Sequence, residues 1–479
     1  MRATMPSDVT FSVDSVDVFE RPVRLRLPFR FGVATLREAP QAFVRARIRF
    51  TDGHDQFGWA AEMMIPKWFD KSPQRSNDDN LDDLRRSIAL AAAAYTSERV
   101  ARPAFRHTAL HYPALLVEGA KRGLNALTAA FGAALVDRAV LDAACRALRM
   151  DFATAIRANV PRIDASLAPD LRDFAFENFL GALEPAQSIA ARHTVGLLDP
   201  LSSAEVKDRP DDTLPVALDE VIAGYGHRFF KIKLSGAILE DIERLTRIAS
   251  ILDALRQYAV TLDGNEQFPS VDAVGDFWRA VDAEPRLARL SAATLYLEQP
   301  LPREIALSAE LQTLEQLKPL VIDESDATYD AFPRARQMGY AGVSSKSCKG
   351  FYKSLINAAR CAYGRQAQPP FMSGEDLTAQ AGLALQQDLA LCGLIGVAHV
   401  ERNGHHYVAG FGGQNAPVSE QRAFADAHPD LYATTSNGTH VIIHNGMIEL
   451  GSLRTPGFAS GAVPDIASLT PLKAVAAIS

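Results

Sequence analysis

The sequence predicts an α/β protein: a closed parallel (β/α) barrel with a separate α+β region ahead of it. Three observations predict it. Short apolar runs alternate with helically spaced stretches at roughly 25–35 residues per unit between Phe229 and Tyr363, the signature of parallel βα repeats. Each run ends in charged or polar residues, as strands do at the functional rim of a barrel. At 479 residues and 47% hydrophobic, the chain exceeds one barrel, so a second region is expected.

The elements follow in order. Residues 9 to about 60 alternate apolar and polar side chains, as in Phe43-Val44-Arg45-Ala46-Arg47-Ile48-Arg49-Phe50, and Asp52-Gly53 supplies a turn. Val23-Arg24-Leu25-Arg26-Leu27 reads as a half-solvated strand. From about 80 to 157 the spacing is helical, most regularly over 133–148. Residues 161–192 read as an insertion, the first barrel strand is placed at 194–198, and the barrel spans 193–410. Strand ends fall at Lys233, Asn265, Pro300, Ser325 and Lys346, with helical stretches over 241–258, 271–283 and 351–363. Phe371-Met372-Ser373-Gly374-Glu375 is a seventh segment and His399 lies near an eighth. Beyond Asn403 the repeat fades, and 441–448 reads as a hairpin on Asn445-Gly446.

The polar groups carry the chemistry. In Phe229-Phe230-Lys231-Ile232-Lys233-Leu234 a strand points both lysines to one face, where two ammonium groups repel and the neutral form of a base is favoured. Asp263, Glu298 and Asp323 end three consecutive strands, so a barrel brings the three carboxylates together, flanked by Lys233 and Lys346. Three oxygen donors with room for water describe a site for a hard divalent cation. Asp323 and Glu324 are neighbours that point opposite ways.

The ordered set Lys-x-Lys, Asp-x-Asn, Glu-Gln-Pro, Asp-Glu-Ser and Lys-x-x-Lys resembles the enolase superfamily (mandelate racemase/muconate lactonizing enzyme family), above all its muconate-lactonizing subgroup. The resemblance implies a modified TIM barrel under an α+β capping domain, built from residues 1–160 and the returning tail 411–479. It implies Mg2+ held by Asp263, Glu298 and Asp323, which favours Asp323 over Glu324. Lys233 and Lys346 would be an acid/base pair across the substrate, with Lys231 tuning Lys233. Asn265 would support the ligands; Lys349 and Glu375 would lie close by. The implied activity is abstraction of the proton alpha to a carboxylate, giving an enediolate that leads to racemisation or epimerisation, cycloisomerisation or dehydration. A neutral lysine can take that weakly acidic proton when positive charge stabilises the dianion. Loops near Phe31-Gly32-Val33 and Gly58-Trp59-Ala60-Ala61-Glu62 would close over the barrel mouth, with Trp68 and Phe69 as apolar lid residues.

Departures from the family pattern separate the scaffold from the substrate. Gly350 is followed by Phe351 where two glycines are usual, and Gly-Trp-Ala-Ala-Glu replaces Gly-Trp-Gly-Glu. The seventh segment has no histidine base of the mandelate-racemase kind. Val400-Glu401-Arg402-Asn403 lacks the Asp-x-Asp of a dipeptide epimerase. A Schiff-base lyase or aldolase using Lys233 or Lys346, and a non-catalytic metal-stabilised barrel, are the competing expectations.

Composition narrows the partners. A net charge of −7 argues against nucleic acid and anionic membranes; the resemblance implies a small-molecule carboxylate as partner, with a homo-oligomer possible. Cys145, Cys348, Cys361 and Cys392 show no metal-ligand spacing, and neither a leader nor a membrane-length apolar run is evident, so a reduced cytoplasmic protein is expected. His399, His405 and His406 give no ligand spacing and are expected to be structural.

Overall fold

The computed structural model describes residues 9–308, 311, 318–363, 369–436 and 438–472. Strands β1 (Phe11–Phe31) and β2 (Ala34–Phe50) form a long antiparallel hairpin, and β3 (Asp55–Met63) adds to β2. As the alternation predicts, Val23 and Leu25 are buried while Arg24 is exposed. Helices α1 (Asn77–Ser97), α2 (Ala104–Lys121) and α3 (Ala126–Leu148) cover one face of this sheet. Ser76 and Asp79 start α1 as a reciprocal capping box, and the Asn125 side chain caps α3. Helix α3 is buried along most of its length because β3 lies directly on it; a Cβ on Gly58 would sit 2.2 Å from the Ala139 carbonyl oxygen.

Eight parallel strands form the barrel: β4 (Ser188–Val195), β5 (Phe229–Lys233), β6 (Ala259–Asp263), β7 (Thr294–Glu298), β8 (Leu320–Ile322), β9 (Gly342–Ser345), β10 (Phe371–Gly374) and β11 (His399–Arg402). Pairing of β11 with β4, from His399 opposite Ala190 to Arg402 opposite His193, closes it. Two differences from the sequence reading stand out. The first barrel strand starts at Ser188 rather than Thr194, so residues 188–192 belong to the barrel and not to an insertion. The reason is that Arg192 and His193, which break the apolar run, are themselves buried. Trp59 to Glu62, expected in a lid loop, lie within β3, where Glu62 is buried against Arg138. The expected loop at Phe31-Gly32-Val33 does join β1 to β2; Gly32 has a positive φ of 49°, and a Cβ there would sit 2.8 Å from Gln267 Nε2.

The chain beyond the barrel adds β12 (Tyr432–Thr435), β13 (Gly438–Val441), β14 (Met447–Glu449) and β15 (Thr470–Pro471). Asn445-Gly446 does form a turn, bridged between His444 and Met447. Its flanking strands part, however: β13 pairs with β12, and β14 lies antiparallel on β4. Strand β15 pairs with β1, Phe19 opposite Pro471, which returns the tail to the cap sheet. No helix among the described residues is long and apolar enough to cross a membrane.

Candidate active site

Barrel register, rather than any single residue, assembles the site. Lys233, Asp263 and Glu298 stand side by side across β5, β6 and β7. Glu298 is opposite Val321, so Asp323, two residues on, continues the same inward row. The pairing of Gly342 with Val321 and Phe371 carries that parity to Lys346 and Glu375, and Glu401 opposite Arg192 completes the ring. Lys231, Lys233, Asp263, Glu298, Asp323, Lys346 and Glu375 thus share the inward parity and Glu324 the opposite one, while Asn265 and Lys349 lie beyond the strand ends.

Lys231 occupies the centre. Its Nζ lies 2.7 Å from Glu298 Oε2, 2.7 Å from Glu375 Oε2, 3.0 Å from Asp263 Oδ2 and 3.1 Å from Glu401 Oε2. Burial disfavours its charge, but the four carboxylates outweigh burial and hold the ammonium far above the usual lysine range. The expectation that repulsion between the two lysines favours the neutral form is therefore not met at Lys231. Both lysines grip the same Asp263 Oδ2, Lys233 at 2.6 Å, and the acid absorbs much of their repulsion.

The other acids are held from different sides. Asp263 Oδ1 accepts from the Asn265 backbone N–H at 2.9 Å. Asp323 accepts from Lys346 Nζ and Ser344 Oγ, both at 2.5 Å, and lies 3.3 Å from Lys349 Nζ. Burial pushes Asp323 up; Lys346, Lys349 and Lys231 pull it below the ordinary carboxylate range. Burial likewise depresses Lys346, and the Asp323 charge reverses this, keeping the ammonium above its usual range. Lys349 also donates to Ser344 Oγ at 2.7 Å and pairs with Asp326 at 3.1 Å. Glu375 accepts from Tyr296 Oη at 3.0 Å and is paired with Arg192.

Glu298 differs from the rest. It is fully buried, and neither carboxylate oxygen accepts a hydrogen bond among the described residues; Lys231 is close to Oε2 but out of line. Burial, then Asp263 and Glu375, drive its carboxyl well above the usual range.

The cap covers part of the site. Phe29, Phe31, Ile65 and Trp68 roof a narrow cleft of about 20 Å³ whose polar lining includes Lys233, Lys346, Asn265 and Glu401. Lys233 Nζ lies 5.8 Å from the Phe29 ring centre and Lys346 Nζ 4.4 Å from that of Trp68. Phe69, expected in the lid, instead packs on Phe131 of α3. Arg303 pins the segment by donating to the Trp68 and Phe69 carbonyls, each at 2.8 Å, while forking onto Glu266. Lys71 reaches Glu266, Glu324 and the Asn265 carbonyl, which gives Glu324 a latch role apart from Asp323. The roomier hollow between Pro22–Arg26 and Val408–Asn415 contains none of these lysines.

Sequence reasoning missed Glu401 as a site residue. It accepts from Thr194 Oγ1 at 2.6 Å, from Lys231, and from the Asp376 backbone N–H at 2.9 Å. Its place at the end of the eighth strand was the available signal. Arg192 and Tyr296 gave none, since only barrel closure brings them to Glu375.

No family model and no curated protein matches the chain. Solved structures do. The muconate lactonizing enzyme of Pseudomonas fluorescens, complexed with muconolactone, superimposes with a TM-score of 0.57 at 15% identity, covering 96% of this chain and 98% of that one. The dipeptide epimerase of Cytophaga hutchinsonii, complexed with Mg and D-Ala-L-Val, gives 0.57 at 15% identity, covering 96% and 99%. An enolase from Bradyrhizobium, complexed with magnesium and mandelic acid, gives 0.60 at 15% identity, covering 96% and 97%. The likeness is one of fold: this chain has the capped-barrel architecture of these proteins over nearly its whole length.

Proposed function

We propose that this chain is an enzyme of the enolase-superfamily type, a Mg2+-dependent isomerase or lyase that removes the proton alpha to the carboxylate of a small substrate. The observation that carries the reading is that Lys233 and Lys346, at the ends of separate strands, line one narrow cleft against a ring of inward carboxylates. Glu298 supports the metal: a fully buried carboxylate with no aligned donor, among like charges, suits a hard divalent cation. Asp263, Glu298 and Asp323 would hold Mg2+, which supplies positive charge against the anion that develops on the substrate carboxylate.

The remaining work falls to the chain. One of the two cavity lysines, in its neutral form, takes the alpha proton to its Nζ, and the substrate becomes an enediolate. The other returns a proton to the opposite face, giving racemisation or epimerisation. With a leaving group or lactone oxygen on the adjacent carbon, the same removal ends in elimination or cycloisomerisation. Lys231 clamps Asp263, Glu298, Glu375 and Glu401 and so keeps the acids from repelling each other apart. Phe29, Phe31, Ile65 and Trp68 line the cleft beside the two lysines and would shield the carbanionic centre from water.

Incubation in D2O with Mg2+ and pooled hydroxy acids, sugar acids, amino acids, N-acylated amino acids and dipeptides tests this, with mass spectrometry reading solvent deuterium. Exchange abolished by EDTA is expected, and Lys346→Ala should remove exchange from one stereochemical face by about 10²–10⁴-fold. Exchange that survives chelation, or a borohydride-trapped adduct on either lysine, refutes the reading.

A further inference from the structure

We propose that His193, His227 and His405 form a second metal site, for a borderline transition metal such as Zn2+, on the outer wall of the barrel where β11 closes against β4. The proposal is independent of the chemistry inside the barrel. Arg192 and Thr194 point inward, to Glu375 and Glu401, so His193 between them points out. His227 lies just before β5 and His405 three residues beyond β11. Each ring offers a nitrogen, and these nitrogens all lie within 4.8 Å of one another in a buried pocket.

The hydrogen bonding favours a cation there. His227 Nδ1 is 3.0 Å from the Ala191 carbonyl oxygen and must donate to it, which leaves a lone pair on Nε2. That Nε2 has no partner among the described residues although the residue is 1% exposed. A backbone acceptor fixing the tautomer is the usual support of a ligating imidazole. His193 Nδ1 and His405 Nε2 are 3.3 Å apart. Two nitrogens on one tetrahedral Zn2+, each at about 2.0–2.1 Å, stand about 3.3–3.4 Å apart. One proton between these two can satisfy their pair, but nothing then reaches His227. Burial also keeps all three rings neutral, the form that binds metal; His227 is pushed down to about 4.

Three neutral nitrogens without a carboxylate select Zn2+, Co2+, Ni2+ or Cu2+ over Mg2+, and leave a fourth position for solvent. A surface cleft lined by Gly226, His227, Arg228 and Asn445 offers a route in. An ion here would tie the exit of the last strand to the first strand and to the entry of the second. The histidines are 34 and 178 residues apart (His193 to His227, His227 to His405), so no sequence spacing announces them.

The test uses the full chain without a histidine tag, stripped with chelator and held in excess Mg2+ so that the inner acids do not compete. Titration with Co2+ should give the strong visible absorption of a four-coordinate nitrogen site, saturating at one equivalent and displaced by one equivalent of Zn2+. Zn2+ at a hundredfold excess over Kd should raise Tm by about 3 °C. His227→Gln and His405→Gln should each abolish the absorption, and His428→Gln, elsewhere in the fold, should keep it. Absence of the Co2+ band and of Zn2+ retained through gel filtration in the wild type overturns the proposal. So does full retention in a folded His193→Gln/His227→Gln/His405→Gln protein. Should the variants not fold, the wild-type titration alone decides.

Discussion

Replacing Glu298 by Gln should change stability in opposite directions with and without Mg2+. Glu298 Oε2 and Asp263 Oδ2 lie 2.7 and 3.0 Å from the same Lys231 Nζ, so they are no more than about 6 Å apart. Glu375 Oε2, 2.7 Å from that nitrogen, is equally close. At such separations and an effective dielectric constant near 20, each like-charge pair costs about 3 kcal/mol. Attraction to Lys231 offsets much of this, and the cost of burial remains. At a pH high enough to ionise wild-type Glu298, whose carboxyl is pushed up by burial and its acidic neighbours, metal-free Glu298→Gln should therefore be more stable than wild type by about 1–3 kcal/mol. A chain of 479 residues unfolds with an entropy of about 1 kcal/mol/K, so its Tm should rise by about 1–3 °C. Mg2+ at a hundredfold excess over Kd should add about 2.7 kcal/mol, or about 3 °C, to the wild type and nothing to the variant. Differential scanning fluorimetry with and without MgCl2, checked by titration calorimetry, measures both. A variant that melts lower without metal, or keeps the Mg2+ shift, refutes the electrostatic account of this carboxylate.

Two further outcomes test the cap and the tail. Arg303→Ala removes the donor that holds the Trp68 and Phe69 carbonyls and leaves Glu266 with Lys71; a loss of about 2–4 kcal/mol is expected. Acrylamide should quench Trp68 more readily while Trp59 and Trp278 stay shielded; unchanged quenching would mean that the lid is held by packing alone. His428 must be neutral when folded, because its Nε2 accepts from the Gly461 N–H at 3.0 Å, and burial pushes it down to about 4. The folded value lies below the unfolded 6.5, so this contribution is whole above pH 6.5 and lost as pH falls toward 4. Denaturant unfolding should show wild type losing about 3 kcal/mol more than His428→Gln across that window, and parallel curves would rule this out.

The sequence by itself determined the scaffold and placed most of the candidate site's side chains. Period-two alternation laid out the cap strands, and polar groups at the ends of repeating apolar runs marked Lys233, Asp263, Glu298, Asp323, Lys346 and Glu375 as inward neighbours. These are local signals: strand parity and strand ends are set by residues a few positions apart. The tertiary structure decided whatever depends on closure. Lys231 looks like an unpaired neighbour of Lys233 until four strands deliver acids to it. The first strand was placed too late because Arg192 and His193 interrupt its apolar run, and only the fold supplies the partners that bury them. Glu62 was misplaced for the same reason, its charge met by Arg138 of α3, 76 residues away. His193, His227 and His405 meet only because β11 returns to β4. Charge compensation is a contact between distant segments, and a contact of that kind has no period in the chain.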